Sequence, residues 1–182
     1  MRALDAELAD LAAELRRITV TVHGQGDGSG VIWRPDGLIV TNAHVVRQKH
    51  PEVVLWDGHA LRAQLVAWDP DRDLAALQVP ADGLPVARPG DVTALRVGDL
   101  VLALGHPLGV ANALSLGVVH IIGSGLPSHW IQADVRLAPG NSGGPLADAQ
   151  GRVIGLNTLV AAGLAHAVPV TAVARFFRRL AA

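Results

Sequence analysis

The sequence has no cysteine. That excludes a disulfide framework, a thiolate nucleophile and a cysteine-based zinc site, and it chooses neither redox compartment. Charge of one sign is not in excess either. The 15 Lys and Arg against 16 Asp and Glu leave a formal net charge of −1, which gives no electrostatic case for a nucleic acid or an anionic membrane as partner. No run of about 18 apolar residues occurs, so nothing reads as a membrane-spanning helix. The N-terminal MRALDAELADLAAELRR carries acids and no continuous apolar stretch, so it reads as neither signal peptide nor anchor. The chain is then cytoplasmic if complete and periplasmic or otherwise extracytoplasmic if processed. The eight histidines form no H-E-x-x-H and no i,i+4 pair, so neither a metal centre nor another cofactor is expected.

What is present points to a turn-rich β fold. Hydrophobic residues make up 50% of the 182 and charged residues 17%, enough for a sizeable core in one medium domain or two small lobes. Leu4, Leu8, Leu11, Leu15 and Ile18 recur at helical spacing, with acids early and Arg16-Arg17 late, so residues 1–17 are expected as an amphipathic helix. Its stripe either packs on its own domain or mediates self-association. From Ile18 the period changes to alternation. ITVTVHG reads as a strand, GDGSG as a glycine turn into a strand at 31–33, and VIW-RPDG-LIVT as a hairpin. Further strands are expected at 53–56, 61–68 and 74–79. The Pro- and Gly-rich stretch 80–98 breaks the pattern, which resumes at 100–104, 114–122, 130–133, 146, 153–158 and 165–168. Strands at this spacing on both sides of a linker suggest two antiparallel barrels or sandwiches. The division is a first lobe over 18–88, a linker over 89–99, a second lobe over 100–169 and a closing amphipathic helix over 170–182.

Three stretches carry chemistry. GNSGGPL, 140–146, sets Ser142 among glycines after a turn-forming Pro139-Gly140. Such a turn can hold a hydroxyl up and aim backbone N–H groups at whatever the hydroxyl attacks. A serine needs a base, and imidazole serves near neutral pH; His44 lies in TNAHVV, just past a strand. A carboxylate on the other ring nitrogen fixes the tautomer, and Asp73 lies in DRDLAAL, just before a strand. On two lobes the first would supply His44 and Asp73 and the second Ser142, with a cleft between.

TNAHVV, DRDLAALQV and GNSGGPL, with SGVIW before and VIGLNT after, resemble the chymotrypsin-like serine proteases, and most of all their HtrA/Deg branch, from about Ile18 to about Val170. The resemblance implies a mainly β fold of two six-stranded antiparallel barrels with N- and C-terminal helices. It implies a serine endopeptidase cleaving exposed or unfolded polypeptide, with His44 as general base, Asp73 as orienting acid and Ser142 as nucleophile. Gly140 and Ser142 would donate their N–H groups to the oxyanion, with Asn141 between them. The substrate-binding set would be Arg136 and Leu137 before the turn and Leu156, Asn157 and Thr158 on the strand that pairs with bound peptide. Arg136 stands where a preference for Lys or Arg would need an acid, so an aliphatic or small side chain is expected before the scissile bond. The family also implies a homotrimer, often held by N-terminal aromatics, and none lie in this N-terminal helix. One or two PDZ domains commonly follow in the family, whereas this sequence stops at Ala182. The stretches 24–28 and 119–130 are short where the family carries regulatory loops, so their relay is not carried over. The alternative is a non-catalytic, chaperone-like peptide-binding module on the same fold.

Overall fold

Helix α1, Arg2–Ile18, lays Leu15 and Ile18 into the core and packs Leu8 and Leu11 against it. The described residues of the computed structural model are 2–24, 27–106, 113–122 and 130–180; of the short loops expected at 24–28 and 119–130, residues 25–26 and 123–129 lie outside them. Of the stripe that also suited self-association, Leu8, Leu11, Leu15 and Ile18 are therefore packed within the chain.

The first sheet is built from β1 (Thr19–His23), β2 (Asp27–Ile32), β3 (Leu38–Thr41), β4 (Glu52–Val54), β5 (Ala60–Arg62), β6 (Gln64–Asp69) and β7 (Leu74–Gln78), in the order β5-β4-β1-β2-β3-β7-β6. Its two edges, β5 and β6, are consecutive in the chain and separated by Ala63 alone. They are the halves of one bent strand, which pairs with β4 before the bend and with β7 after it. The Ala63 N–H donates to the Pro51 carbonyl at 2.9 Å and holds the bend. The lobe thus curls around six strand positions, the fifth in chain order broken in two. β2 begins at Asp27, whereas the sequence suggests a turn through Gly30: Gly-Ser-Gly is extended and paired with β1.

The second sheet closes fully. β8 (Leu100–Gly105), β9 (Ala113–Ile122), β10 (Ile131–Asp134), β11 (Pro145–Asp148), β12 (Val153–Ala161) and β13 (Leu164–Pro169) form a barrel in the order β10-β13-β12-β11-β8-β9. Between the lobes, Ala87 N–H donates to Ile32 and Gly90 N–H to Val153, so the connection is bonded to both. Helix α2, Val170–Leu180, closes the chain with Val173 and Phe176 buried and Phe177 stacked on Trp33.

Period-2 alternation divides the core in three. Val20, Ile39, Ala75 and Leu77 fill the first lobe, while Val101, Ala103, Ile131 and Ile154 fill the second barrel. The alternate positions Val40, Ala76, Leu102, Leu104 and Val153, joined by Leu156, pack with Leu15, Ile18, Val173 and Phe176 into a seam between the lobes. Strands at the seam are buried on both faces, which is why β3 and β7 read as continuous apolar runs.

Candidate active site

Strand register brings His44 and Asp73 together. β3 pairs antiparallel with β7, Thr41 opposite Ala75, so the exit of one strand lies beside the entry of the other. His44 follows β3 in a tight turn, with Val46 N–H on the Ala43 carbonyl. Asp73 precedes β7 with φ +54°, a left-handed backbone that Asp tolerates better than most side chains. The Asn42 amide ties the two turns by donating to the Asp73 carbonyl at 3.0 Å.

The Asp73 carboxylate receives four contacts. His44 Nδ1 lies 2.8 Å from Oδ2 and 2.9 Å from Oδ1, and the His44 backbone N–H donates to Oδ1 at 3.0 Å. The Thr158 hydroxyl donates to Oδ2. Burial alone would raise the pKa of Asp73, but the hydrogen bonds from His44 and Thr158 outweigh it and hold the carboxyl below the usual range. An ionised Asp73 keeps the ring proton on Nδ1 and leaves Nε2 with its lone pair. The His44 side chain is 48% exposed, open to whatever enters the cleft.

Ser142 rides on a turn fastened at alternate peptides. Asn141 N–H donates to the Ala138 carbonyl at 3.0 Å, and Gly140 has φ +104°, so Ala138-Pro139-Gly140-Asn141 is a type II turn with Pro and Gly at their favoured places. Asn157 clamps the other side: it accepts from Gly143 N–H, donates its own N–H to the Gly144 carbonyl, and sends its side-chain amide to Pro145. Gly143 has φ +84°, and a Cβ there would lie 2.1 Å from the Ser29 carbonyl oxygen. Among the described residues neither Gly140 N–H nor Ser142 N–H has an acceptor within the chain. Asn141 N–H does, which corrects the expectation that it sits in the anion hole: it is spent closing the turn.

The Ser142 hydroxyl donates to the Thr158 carbonyl at 2.8 Å, and no bond joins it to His44. Thr158 is thus the hub, with its carbonyl on Ser142 and its hydroxyl on Asp73. A bulge makes this possible. β12 pairs Asn157 with Ala167 and Leu159 with His166, leaving Thr158 as the extra residue, swung out of the ladder.

Beside Ser142 opens a cleft of about 310 Å³, walled by Leu137–Pro139 on one side and Thr158–Val160 on the other. Of the expected binding residues, Leu137 and Thr158 are among its lining. Three expected binding residues do not line it. Arg136 is exposed outside the walls, Leu156 is fully buried in the seam, and Asn157 is fully buried in the clamp just described. β12 is longer than the sequence suggested, and after the bulge its Leu159 and Val160 form the wall instead.

Sequence reasoning missed Ser29. This fully buried residue of β2 donates Oγ–H to the Gly140 carbonyl at 2.7 Å and its N–H to the Ser142 carbonyl at 2.8 Å. Its own carbonyl takes the Thr41 hydroxyl, and its Oγ accepts the His106 N–H at 3.1 Å. The first lobe thereby grips the serine turn of the second. The signal was the serine inside a glycine-flanked strand, which composition reads as a turn. Burial pushes His106 down from its usual pKa, seconded by the nearby charges of His23 and Arg16, so the ring packed on Ser29 stays neutral at pH 7. Ser29→Ala leaves the Gly140 carbonyl without this donor. It is expected to cost about 1–3 kcal/mol, read as a lower denaturation midpoint at unchanged slope. An unchanged midpoint would show that the grip carries no stability.

Among the described residues, no three His, Asp or Glu side chains gather within metal-ligating range.

A family model described as a trypsin-like peptidase domain matches residues 28–156. The sequence is 42% identical over 154 residues to a protein of Halomonas elongata named "Probable periplasmic serine endoprotease DegP-like", covering 79% of this chain and 32% of that protein. A protein of the same name from Ectopseudomonas mendocina is 40% identical over 159 residues, covering 81% of this chain and 34% of the other. This chain thus spans about a third of the length of those relatives. The fold matches a solved structure titled "HtrA-type protease AlgW with tripeptide" with a TM-score of 0.88 at 31% identity, over 93% of this chain and 62% of that one.

Proposed function

Because the chain belongs to the trypsin-like peptidase family, among relatives of the HtrA/DegP type, we propose that it is a serine endopeptidase that cleaves exposed or unfolded polypeptide through an acyl-enzyme. The observation that carries this reading is the Thr158 hub, which holds the Ser142 hydroxyl and the Asp73 carboxylate on one residue while Asp73 fixes His44.

The geometry supports the following steps. Ser142 rotates its hydroxyl from the Thr158 carbonyl to His44 Nε2. His44 takes the proton as Oγ bonds to the scissile carbonyl carbon, and Asp73 stabilises the imidazolium. The carbonyl oxygen, now negative, receives the free N–H groups of Gly140 and Ser142. His44 returns the proton to the departing amine and the C–N bond breaks. Water, deprotonated by His44, then attacks the ester and releases the acid and the serine.

Substrate reaches the site as an added strand. Past Leu156, β12 has β13 on one edge and no strand on the other among the described residues, so main-chain bonds can form along Thr158–Val160. One side chain then drops into the cleft between Leu137–Pro139 and Leu159–Val160. With apolar walls and Arg136 outside, that side chain is aliphatic or small. The proposal extends to a periplasmic or other extracytoplasmic setting, as the relatives' names have it; no described helix is long and apolar enough to cross a membrane. It extends also to a homotrimer, for which a surface other than the α1 stripe would serve; a stable monomer in sedimentation would remove that part.

The position of the Ser142 hydroxyl, off His44, is the one observation that favours a non-catalytic peptide-binding module. A fluorophosphonate probe separates the two readings. The peptidase predicts labelling at Ser142 and cleavage of a peptide library after aliphatic residues. No labelling alongside tight peptide binding would favour the module, and cleavage mainly after Lys or Arg would refute the assigned preference.

A further inference from the structure

A second groove, of about 440 Å³, is lined by His44. Leu65 and Trp68 of β6 and Val46 line it with apolar surface, and Arg47 and Lys49 stand on its rim. The walls are fastened together. Leu65 N–H donates to the Lys49 carbonyl at 2.9 Å, and the Trp68 indole N–H donates to the Ala43 carbonyl at 3.3 Å. Trp68 nevertheless stays 56% exposed, a large aromatic left open beside the imidazole.

The charges are unbalanced in one direction. Asp69, next to Trp68 in the chain, is engaged by Arg72, and Asp73, in contact with the imidazole, is engaged by His44 and Thr158. Arg47 and Lys49 have no ion-pair partner among the described residues. Two unpaired cations above an apolar floor suit a side chain with an aliphatic stem and an anionic end.

An extended substrate brings such a side chain here. Successive side chains of a strand point to opposite faces. With one in the first cleft, built wholly from the second lobe, its two neighbours face the first lobe, where His44 and this groove lie. The geometry points to a second substrate subsite that selects glutamate at a position flanking the residue in the first cleft. This rests on the peptidase reading above. The Glu methylenes cover Trp68 and Leu65, and the carboxylate meets Arg47 and Lys49.

The test uses quenched peptides with Val for the first cleft and Glu, Gln or Lys at each flanking position in turn. At one of them, kcat/KM is expected to fall from Glu through Gln to Lys by about tenfold in all. The Glu-to-Lys ratio should shrink as salt is raised, since the cations are exposed. In the Arg47→Glu/Lys49→Glu double variant the ratio should invert. The same peptides bound to the Ser142→Ala chain should show the same order in Kd. Ser142-dependent cleavage with no ranking at either position, or a ranking that the double variant leaves unchanged, overturns the subsite and spares the peptidase. Absence of cleavage with the ranking kept in Kd overturns the peptidase and leaves the groove as a binding site for acidic peptide.

Discussion

Ser142→Ala is expected to lower kcat on a cleavable peptide by at least about 10⁴-fold, while peptide binding and the fold persist. The size follows from what the change removes and what it spares. On the peptidase reading it removes the atom that would bond to the scissile carbon, so no acyl-enzyme would form. It spares the turn, because none of the bonds that shape it uses Oγ. Ser29 holds the Gly140 and Ser142 carbonyls, Ala138 holds Asn141 N–H, and Asn157 holds Gly143 and Gly144. The free N–H groups of Gly140 and Ser142 therefore remain in place, and on the same reading they would account for the residual rate above water. His44→Ala should cost a similar amount, and the double variant little more than either, since a nucleophile without a base and a base without a nucleophile are equally idle. Steady-state kinetics with active-site titration decide it. A loss under tenfold for Ser142→Ala would remove the hydroxyl from the mechanism, and a double variant losing the product of the two would show that they act independently.

The grip on the serine turn also explains what could and could not be read from sequence. His44, Asp73 and Ser142 were legible because each sits in a short string whose local chemistry is self-contained: a strand exit, a strand entry and a Pro-Gly turn. α1 was legible by period, since Leu8, Leu11, Leu15 and Ile18 share one face. The two lobes were legible because the 80–98 stretch interrupts the alternation. The bend in the fifth strand was not, because nothing local distinguishes Ala63 as a bend from Ala63 as a mid-strand residue. Its role depends on a backbone bond to Pro51, in another strand's approach.

The lining of the cleft was not legible for a related reason. In β12, Val153 and Leu156 face the seam and Ile154 faces the barrel, so apolar residues occupy both faces and alternation cannot say which side meets substrate. The bulge at Thr158 then shifts the register for Leu159 and Val160. A bulge arises between strands, and β13 is what reveals it. Ser29 was hidden in the same way, since its partners lie 77 and 111 residues away.

Asp73→Asn is the second large effect, expected at about 10⁴-fold in kcat with KM little changed. Three donors converge on the two carboxylate oxygens: the His44 ring, the His44 backbone N–H and the Thr158 hydroxyl. An asparagine replaces one acceptor by an NH₂ donor. The backbone N–H cannot turn away, so the amide nitrogen faces either Thr158 or the ring. Facing the ring, it makes Nδ1 an acceptor, which moves the proton to Nε2 and leaves the base blocked toward Ser142. Facing Thr158, it turns that hydroxyl and loosens the residue whose carbonyl holds Ser142. Either way fluorophosphonate labelling slows in step with kcat. The variant also carries a stability signature. Asp73 titrates lower folded than unfolded, so the unfolded chain binds the extra proton as pH falls. Its stabilising share is complete above the unfolded value near ~4 and is lost as pH drops through the folded value. The substituted amide does not titrate, so denaturation midpoints of the variant should fall less steeply across that acid range than those of the wild type. A variant whose kcat stays within tenfold, with labelling unchanged, would show that His44 holds its tautomer without Asp73. An acid limb identical to wild type would show that the carboxylate gains nothing from its donors.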